Sequence, residues 1–388
     1  MVLLSLMETP FTEIAFKIIV ILSGAKLLAV LLERVGQGAV VGELLLGMIL
    51  GPHLLGWLDP KNPILAFLAE IGIVVLAFYL GLIADLHRLF EARRPAIRVA
   101  LVGMLVPLVL GALYALAIGL PWGVALFLGA TLTATSLAKS GWLLWEARLL
   151  HTIAGSIVLG AALLDDLVAL WMLAGFHAWL TARPFEWGNF LLESILSLIV
   201  LSVSLVLGVR WAPRLFGIIE RLETRGMLIV AALAFCLSLA ALAESFGLAV
   251  VVGAFAAGLM LEYIPQERQI TRQVETLVDL FVPFYFVKAG ALLNPMLFGQ
   301  ASVILHTLAL LGIAIGGKLL SGIGAPQGAR WVVGVSMMPR GEVGLIFALF
   351  GLINGILTPE LYAILVMIVL LTTIATPIIL RPLLKQVG

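Results

Sequence analysis

The chain has 388 residues, 62% of them hydrophobic and 12% charged, with a formal net charge of +1 and a mean hydropathy of +1.18. Soluble domains are about one-quarter charged, so this composition excludes a water-soluble globule and points to a polytopic membrane protein; the near-zero net charge excludes a nucleic-acid partner. One cysteine, Cys236, lies in an apolar run, reads as a buried core residue and excludes a disulfide framework.

A membrane span needs roughly 20 mostly apolar residues. That rule predicts thirteen spans, at 12–32, 38–56, 63–84, 96–119, 122–143, 151–178, 190–209, 227–245, 247–264, 279–298, 301–323, 328–353 and 360–381. The first is expected to be retained, because no small-residue cleavage site follows it. No soluble domain is expected on either side of the membrane part.

In the first span Lys17 is close enough to an end to snorkel to the headgroups, and Lys26 is placed to reach the inner interface. The second and third spans carry Glu43 and Glu70, read as scaffold acids, and Glu244 near the end of the eighth reads as interfacial. The fifth span, in LGATLTATSLAKS, gathers Thr131, Thr133, Thr135 and Ser136 near mid-depth. Such hydroxyls serve either interhelical hydrogen bonding or an interrupted helix that lines a cavity. The sixth, SIVLGAALLDDLVALWMLAGF from Ser156 to Phe176, holds Asp165 and Asp166 near its middle. An ionisable group at bilayer depth is costly and functional by default. Two adjacent carboxylates repel each other as well, so the pair suits a proton or a cation.

The tenth span carries Lys288 in PFYFVKAGALLNP. It reads either as an ion-pair partner of Glu43, Glu70 or Glu244, or as an extra charge near an ion path. The eleventh carries Lys318. The twelfth, SMMPRGEVGLIF, sets Pro339, Arg340, Gly341, Glu342 and Gly344 inside an apolar stretch. Proline removes a backbone donor and glycine loosens a helix, so this span is expected to be broken. His53, His87, His151, His177 and His306 show no ligand spacing, so no resident metal site is expected. His151, near one end of the aspartate span, is a candidate pH-sensing residue.

Lysine and arginine orient the spans. Loops after odd-numbered spans, with the adjoining span ends and the C-terminus, hold sixteen cationic residues, whereas the opposite loops hold only Lys61 and Arg183. This split predicts a cytoplasmic C-terminus and, with an odd span count, an N-terminus outside. The two broken spans are seven apart and so run oppositely through the bilayer. That is the pattern of an inverted repeat, spans 1–6 against 8–13 with span 7 as linker, and paired interrupted segments point to a transporter's midplane site. The expected site therefore gathers Thr133, Thr135, Ser136, Asp165, Asp166, Arg340 and Glu342 around one crossing.

Several strings carry a family resemblance: VVGELLLGMILGPHLLG, with Glu43, Gly47, Gly51 and Pro52; FLAEIGIVVLAFYLGL; ATS at Ala134 to Ser136; GAALLDDLVAL; GKLLSG with Lys318; and MPRGEVGLI. In this order and spacing they resemble the sodium/proton antiporters of the cation:proton antiporter superfamily, in the branch of NapA-like exchangers and Kef-like membrane domains. The resemblance covers essentially the whole chain. It implies an all-α polytopic fold of the NhaA-like antiporter type, with two broken crossing helices. It also implies a panel or dimerisation domain from residues 1–95 and 226–299, a mobile core from 96–185 and 300–388, and a linker helix at 186–225. A homodimer in the lipid bilayer of the cell inner membrane, and elevator-like movement of the core, follow from the same likeness. Two features depart from the family. Gly81, Leu82 and Ile83 stand where an acidic residue is often found, and no Kef-type nucleotide-binding domain is expected after the membrane part.

Adjacent helical residues point about 100° apart, so Asp165 and Asp166 cannot share one partner. The resemblance implies that Asp166 binds the ion and that Asp165 pairs with Lys318. Protonated, Asp166 releases the cation; ionised, it attracts Na+, or K+ or Li+, together with oxygens near Thr135 and Ser136. If cation binding also breaks the Asp165–Lys318 pair, Lys318 can release a second proton and exchange becomes electrogenic. Arg340 and Glu342 are expected to neutralise the broken helix ends and each other. No cofactor is implied, and the expected activity is transport, not enzymatic catalysis. The alternatives are a K+/H+ antiporter, a Na+-coupled organic-anion carrier on the same fold, and a channel. An intramembrane aspartyl protease is disfavoured, because adjacent aspartates on one helix diverge.

Overall fold

The structure is a computed structural model that describes residues 11–34, 37–84, 93–146, 148–150, 152–181, 187–221, 224, 226–245 and 249–387. Among these residues every regular element is helical. In chain order the α-helices are α1 (Phe11–Glu33), α2 (Ala39–Leu50), α3 (Pro63–Leu82), α4 (Arg93–Ala117), α5 (Trp122–Thr131), α6 (Leu137–Glu146), α7 (Ile153–Thr181) and α8 (Trp187–Glu220). They continue as α9 (Met227–Ser245), α10 (Val250–Leu261), α11 (Glu267–Ala291), α12 (Ala301–Ser321), α13 (Arg330–Ser336), α14 (Glu342–Ile353) and α15 (Pro359–Val387). With α5 joined to α6 and α13 to α14, they follow the thirteen predicted spans in order. Among the described residues, seven helices are long and apolar enough to cross a membrane, and α2, α5, α10 and α14 are shorter apolar helices. This is the multi-pass, all-helical chain that the composition demands.

Two boundaries differ from the apolar windows. α2 stops at Leu50 because Pro52 has no amide to donate. The chain turns at Gly56, whose φ of +62° is open to glycine, and the amides of Trp57 and Leu58 return to the Leu50 carbonyl at 3.0 and 2.8 Å. α11 starts at Glu267, well before the predicted 279, because Ile270 and Val274 are buried while Arg268, Arg272 and Glu275 face outward. Such an amphipathic turn is invisible to a window that counts only apolar residues. α11 also ends early, at Ala291, where Asn294 caps a turn opened by Pro295.

The helices group in two compact units. The first holds α1–α3, α8–α11 and α7 from Ala174 onward; the second holds α4–α6, α7 as far as Leu173, and α12–α15. In the first, α3 packs on α10 and α11, and α2 packs on α1 and α11. Gly81 and Gly258 set the α3–α10 distance: a Cβ at either would strike a carbonyl oxygen of the other helix, that of Phe255 or Phe78. Membrane helices associate through such small-residue contacts, because lipid supplies no hydrophobic drive between them. Lys17 pairs with Glu13 at 2.7 Å, and Lys26 reaches Asp279 of α11 at 2.9 Å. Cys236 is buried on α9.

In the second unit α4 packs on α5 and α12, while α15 packs on α12, α13 and α14. Its core is built of small and β-branched residues, among them Ala96, Val99 and Ala100 of α4, and Ile157, Val158, Ala161 and Ala162 of α7. Short side chains on both faces bring α7 close to its neighbours and seat its carboxylates in the interior. His87 and His151 lie outside the described residues, as do Arg88, Arg183 and Arg225.

Candidate functional site

Both broken spans lie in the second unit, and each break has a local cause. α5 ends at Thr131 and residues 134–136 run free of helix before α6 begins. Thr131 and Thr133 donate back to the carbonyls of Phe127 and Ala130, each at 2.8 Å, an alternative to continuing the helix. Ser136 then caps α6, accepting the Lys139 amide on its hydroxyl at 3.2 Å and the Ser140 amide on its carbonyl at 3.0 Å. In the other half α13 ends at Ser336, Pro339 has no amide hydrogen, and α14 opens at Glu342.

The two gaps meet. The Ser136 amide donates to the Pro339 carbonyl at 2.9 Å, and the Ser140 hydroxyl donates to the Ser336 carbonyl at 2.8 Å. The Ser136 hydroxyl donates to Glu342 Oε2 at 3.1 Å. Gly341 is the point of closest approach, where a Cβ would fall on the Ser136 side chain. Arg340, 2% exposed, donates through Nη1 to the Ala134 carbonyl at 2.6 Å and through Nη2 to the Ala314 carbonyl at 3.1 Å. A cation thus stands past the C-terminus of α5, and Glu342 stands in the first turn of α14, where the backbone dipoles favour each sign. The expectation that Arg340 and Glu342 also neutralise each other is not met. The guanidinium is taken by two carbonyls and the carboxylate by Ser136.

Asp165 and Asp166 face this crossing from α7 with exposures of 0% and 3%. Thr135 Oγ1 donates to Asp165 Oδ2 at 2.6 Å, and Lys318 Nζ donates to the same oxygen. Lys318 and Asp165 form an ion pair fully removed from solvent. Asp166, turned away by one helical step, accepts from neither Lys318 nor Thr135; among the described residues its Oδ1, like Oδ1 of Asp165, is buried without a hydrogen-bond donor. It lies within electrostatic reach of Asp165, Glu342 and Lys318. An anionic oxygen in that setting calls for a proton, a cation or a water molecule.

The sequence family described as "Sodium/hydrogen exchanger, transmembrane" matches over residues 19–386. The chain belongs to the sodium/hydrogen exchanger family. It is 34% identical to the Na(+)/H(+)-K(+) antiporter GerN of Bacillus cereus, over 95% of this chain and 96% of that protein. It is also 34% identical to the Na(+)/H(+) antiporter of Enterococcus hirae, over 92% and 94% of the two chains. Its fold is similar to that of the sodium proton antiporter MjNhaP1 from Methanocaldococcus jannaschii, with a TM-score of 0.74 over 95% of each chain at 18% identity.

In this sodium/hydrogen exchanger family member the second unit brings together Thr135, Ser136, Asp165, Asp166, Lys318, Arg340 and Glu342. Thr133 stands in the same gap, but its hydroxyl is spent on its own helix. Lys288 is half-buried on α11 of the first unit, where Glu70 acts on it electrostatically. Glu43 is buried on α2 of that unit, and Glu244 is exposed near the end of α9. Sequence reasoning missed Thr372 and Thr373 of α15, which bond the Arg340 main chain. Their signal is the hydroxyl-bearing run LLTTIAT inside an otherwise apolar last span.

Proposed function

We propose that the chain is a secondary transporter that exchanges Na+ for H+ across the cell inner membrane, with proton and cation competing for Asp166. The observation that carries this reading is the contrast between two buried neighbours beside a crossing of two broken helices: Asp165 accepts from Lys318 and Thr135 on one oxygen, and Asp166 accepts from neither. A proton and a metal ion cannot both occupy that carboxyl. Mutual exclusion alone therefore couples the two fluxes, with oxygens near Thr135 and Ser136 completing the shell of a hard cation. The sodium/proton antiporters among its relatives support the choice of ions.

In this reading α1–α3 and α9–α11 form a panel through which two copies dimerise. α4–α7 and α12–α15 form the core, which carries the ion in an elevator-type movement, and α8 links the inverted halves. The asymmetry of cationic loops across thirteen spans supports an N-terminus outside and a C-terminus in the cytoplasm. Lys318 makes exchange electrogenic: when a cation draws Asp165 away, Lys318 releases a second proton.

Potassium/proton exchange is the second reading, favoured by the Na(+)/H(+)-K(+) designation of the relative GerN. One experiment addresses both. Proteoliposomes with an entrapped pH reporter are challenged with Na+, K+ and Li+ at clamped membrane voltages. Proton movement driven by Na+ and dependent on voltage is the expected result. Robust exchange in Asp166→Ala refutes the site, and voltage-independent exchange refutes the two-proton step.

A further inference from the structure

The last helix grips the second crossing by its main chain. The Arg340 amide donates to Thr372 Oγ1 at 3.2 Å, and Thr373 Oγ1 donates to the Arg340 carbonyl at 3.0 Å. Two consecutive threonines of α15 thus satisfy both backbone groups of one residue in the gap between α13 and α14. Thr372, Thr373 and Arg340 are all buried. A backbone group left free at this depth is costly, so both bonds hold the gap in place.

The two threonines are not equivalent. Thr372 accepts from Arg340 and passes its own proton to the Ile368 or Val369 carbonyl, at 2.8 and 3.1 Å, so its role toward the crossing is fixed. Thr373 has one proton and two acceptors, the Arg340 carbonyl at 3.0 Å and the Val369 carbonyl at 2.8 Å. It can release the crossing without losing its hydrogen bond. Arg340 in turn holds Ala134 of the first gap, and Gly341 abuts Ser136. A shift of the 340 main chain therefore reaches the hydroxyls and carboxylates on both sides.

Resting on the exchange reading above, we infer that Thr372 and Thr373 are positioning residues for cation binding: they act through the Arg340 main chain and set the geometry of the crossing. Neither touches the ion.

The test compares purified Thr372→Val, Thr373→Val, Thr373→Ser and Thr376→Val in proteoliposomes. Thr376 donates to the Thr372 carbonyl within α15, so its valine variant removes a buried hydroxyl from the same helix without touching the crossing. Thr373→Val is expected to raise the apparent KM for Na+ about fivefold with Vmax little changed, the fold-change equivalent of one lost hydrogen bond. Thr373→Ser keeps the donor and is expected to stay near wild type, as is Thr376→Val. In detergent, amide hydrogen exchange over residues 337–343 is expected to run about tenfold faster in Thr372→Val, since the Arg340 amide loses its acceptor. Wild-type KM and unchanged exchange protection in both valine variants overturn the inference, and so does an equal effect of Thr376→Val. If a valine variant does not fold, the alanine variant, which also lacks the hydroxyl, is read by the same criteria. If the wild type moves no protons on cation addition, the exchange reading fails by itself, and hydrogen exchange alone decides the clamp.

Discussion

Lys318 on α12 donates to Asp165 on α7, and neither side chain touches solvent. Thr135 from the first gap reaches the same carboxylate oxygen. Three elements distant in sequence thus meet on one atom, and the second aspartate is left facing the crossing. The difference in partners between two identical neighbours comes from their surroundings.

Removing one member of this pair should cost more than removing both. Lys318→Ala strands a buried carboxylate and is expected to lower stability by about 3–5 kcal/mol. The double variant Asp165→Asn/Lys318→Gln, which leaves no net charge, should regain most of it. Thermal denaturation in detergent measures both; a double variant no more stable than Lys318→Ala would contradict the pairing.

Thr135→Val deletes a hydrogen bond to a charged acceptor and is expected to cost about 1.5–3 kcal/mol. The loss should shrink when Asp165 is already Asn, because the acceptor is then neutral. A double-mutant cycle on unfolding free energies reads the coupling, and strict additivity would show that the 2.6 Å contact carries none.

Gly341→Ala puts a methyl group onto the Ser136 side chain. The two gaps must then separate, which should weaken the Ser136–Glu342 contact and cut transport about tenfold or more, while the remaining helices keep their packing. Initial rates in proteoliposomes, with circular dichroism as the folding control, test this. Gly299→Ala, where a Cβ meets nothing within 4 Å, is the matched substitution expected to be silent.

The competition proposed at Asp166 has a definite sign. Lowering pH populates the protonated carboxyl, so the apparent KM for Na+ should rise with proton concentration while Vmax at saturating Na+ stays nearly constant. Asp166→Asn cannot ionise and should show no Na+-driven proton movement at any pH. Rates measured across a grid of pH and Na+ concentration separate this from a remote pH effect, which would change Vmax instead.

Much of this was legible in the chain. Apolar runs give the spans, because a helix that satisfies its own backbone is the simplest way through lipid. Pro339 and Gly341 mark one break, and the clustered hydroxyls from Thr131 to Ser136 mark the other. The aspartate pair stands out because charge at that depth needs a reason. Less legible were the partners of Arg340, since the carbonyls of Ala134 and Ala314 exist on every residue and only folding presents them. The amphipathic start of α11 was hidden by its charges, and the Thr372–Thr373 grip by the frequency with which hydroxyls bond their own helix.

By itself, the order of residues determined that this is a multi-pass membrane protein with two interrupted helices and costly carboxylates at depth, because burying backbone and charge in lipid constrains composition directly. Tertiary structure alone decided that Lys318 and Thr135 meet on one oxygen of Asp165 while Asp166 accepts from neither, and it placed Lys288 in the first unit. Those outcomes depend on distances of a few ångströms between segments more than a hundred residues apart, and such distances follow from packing rather than from any local pattern.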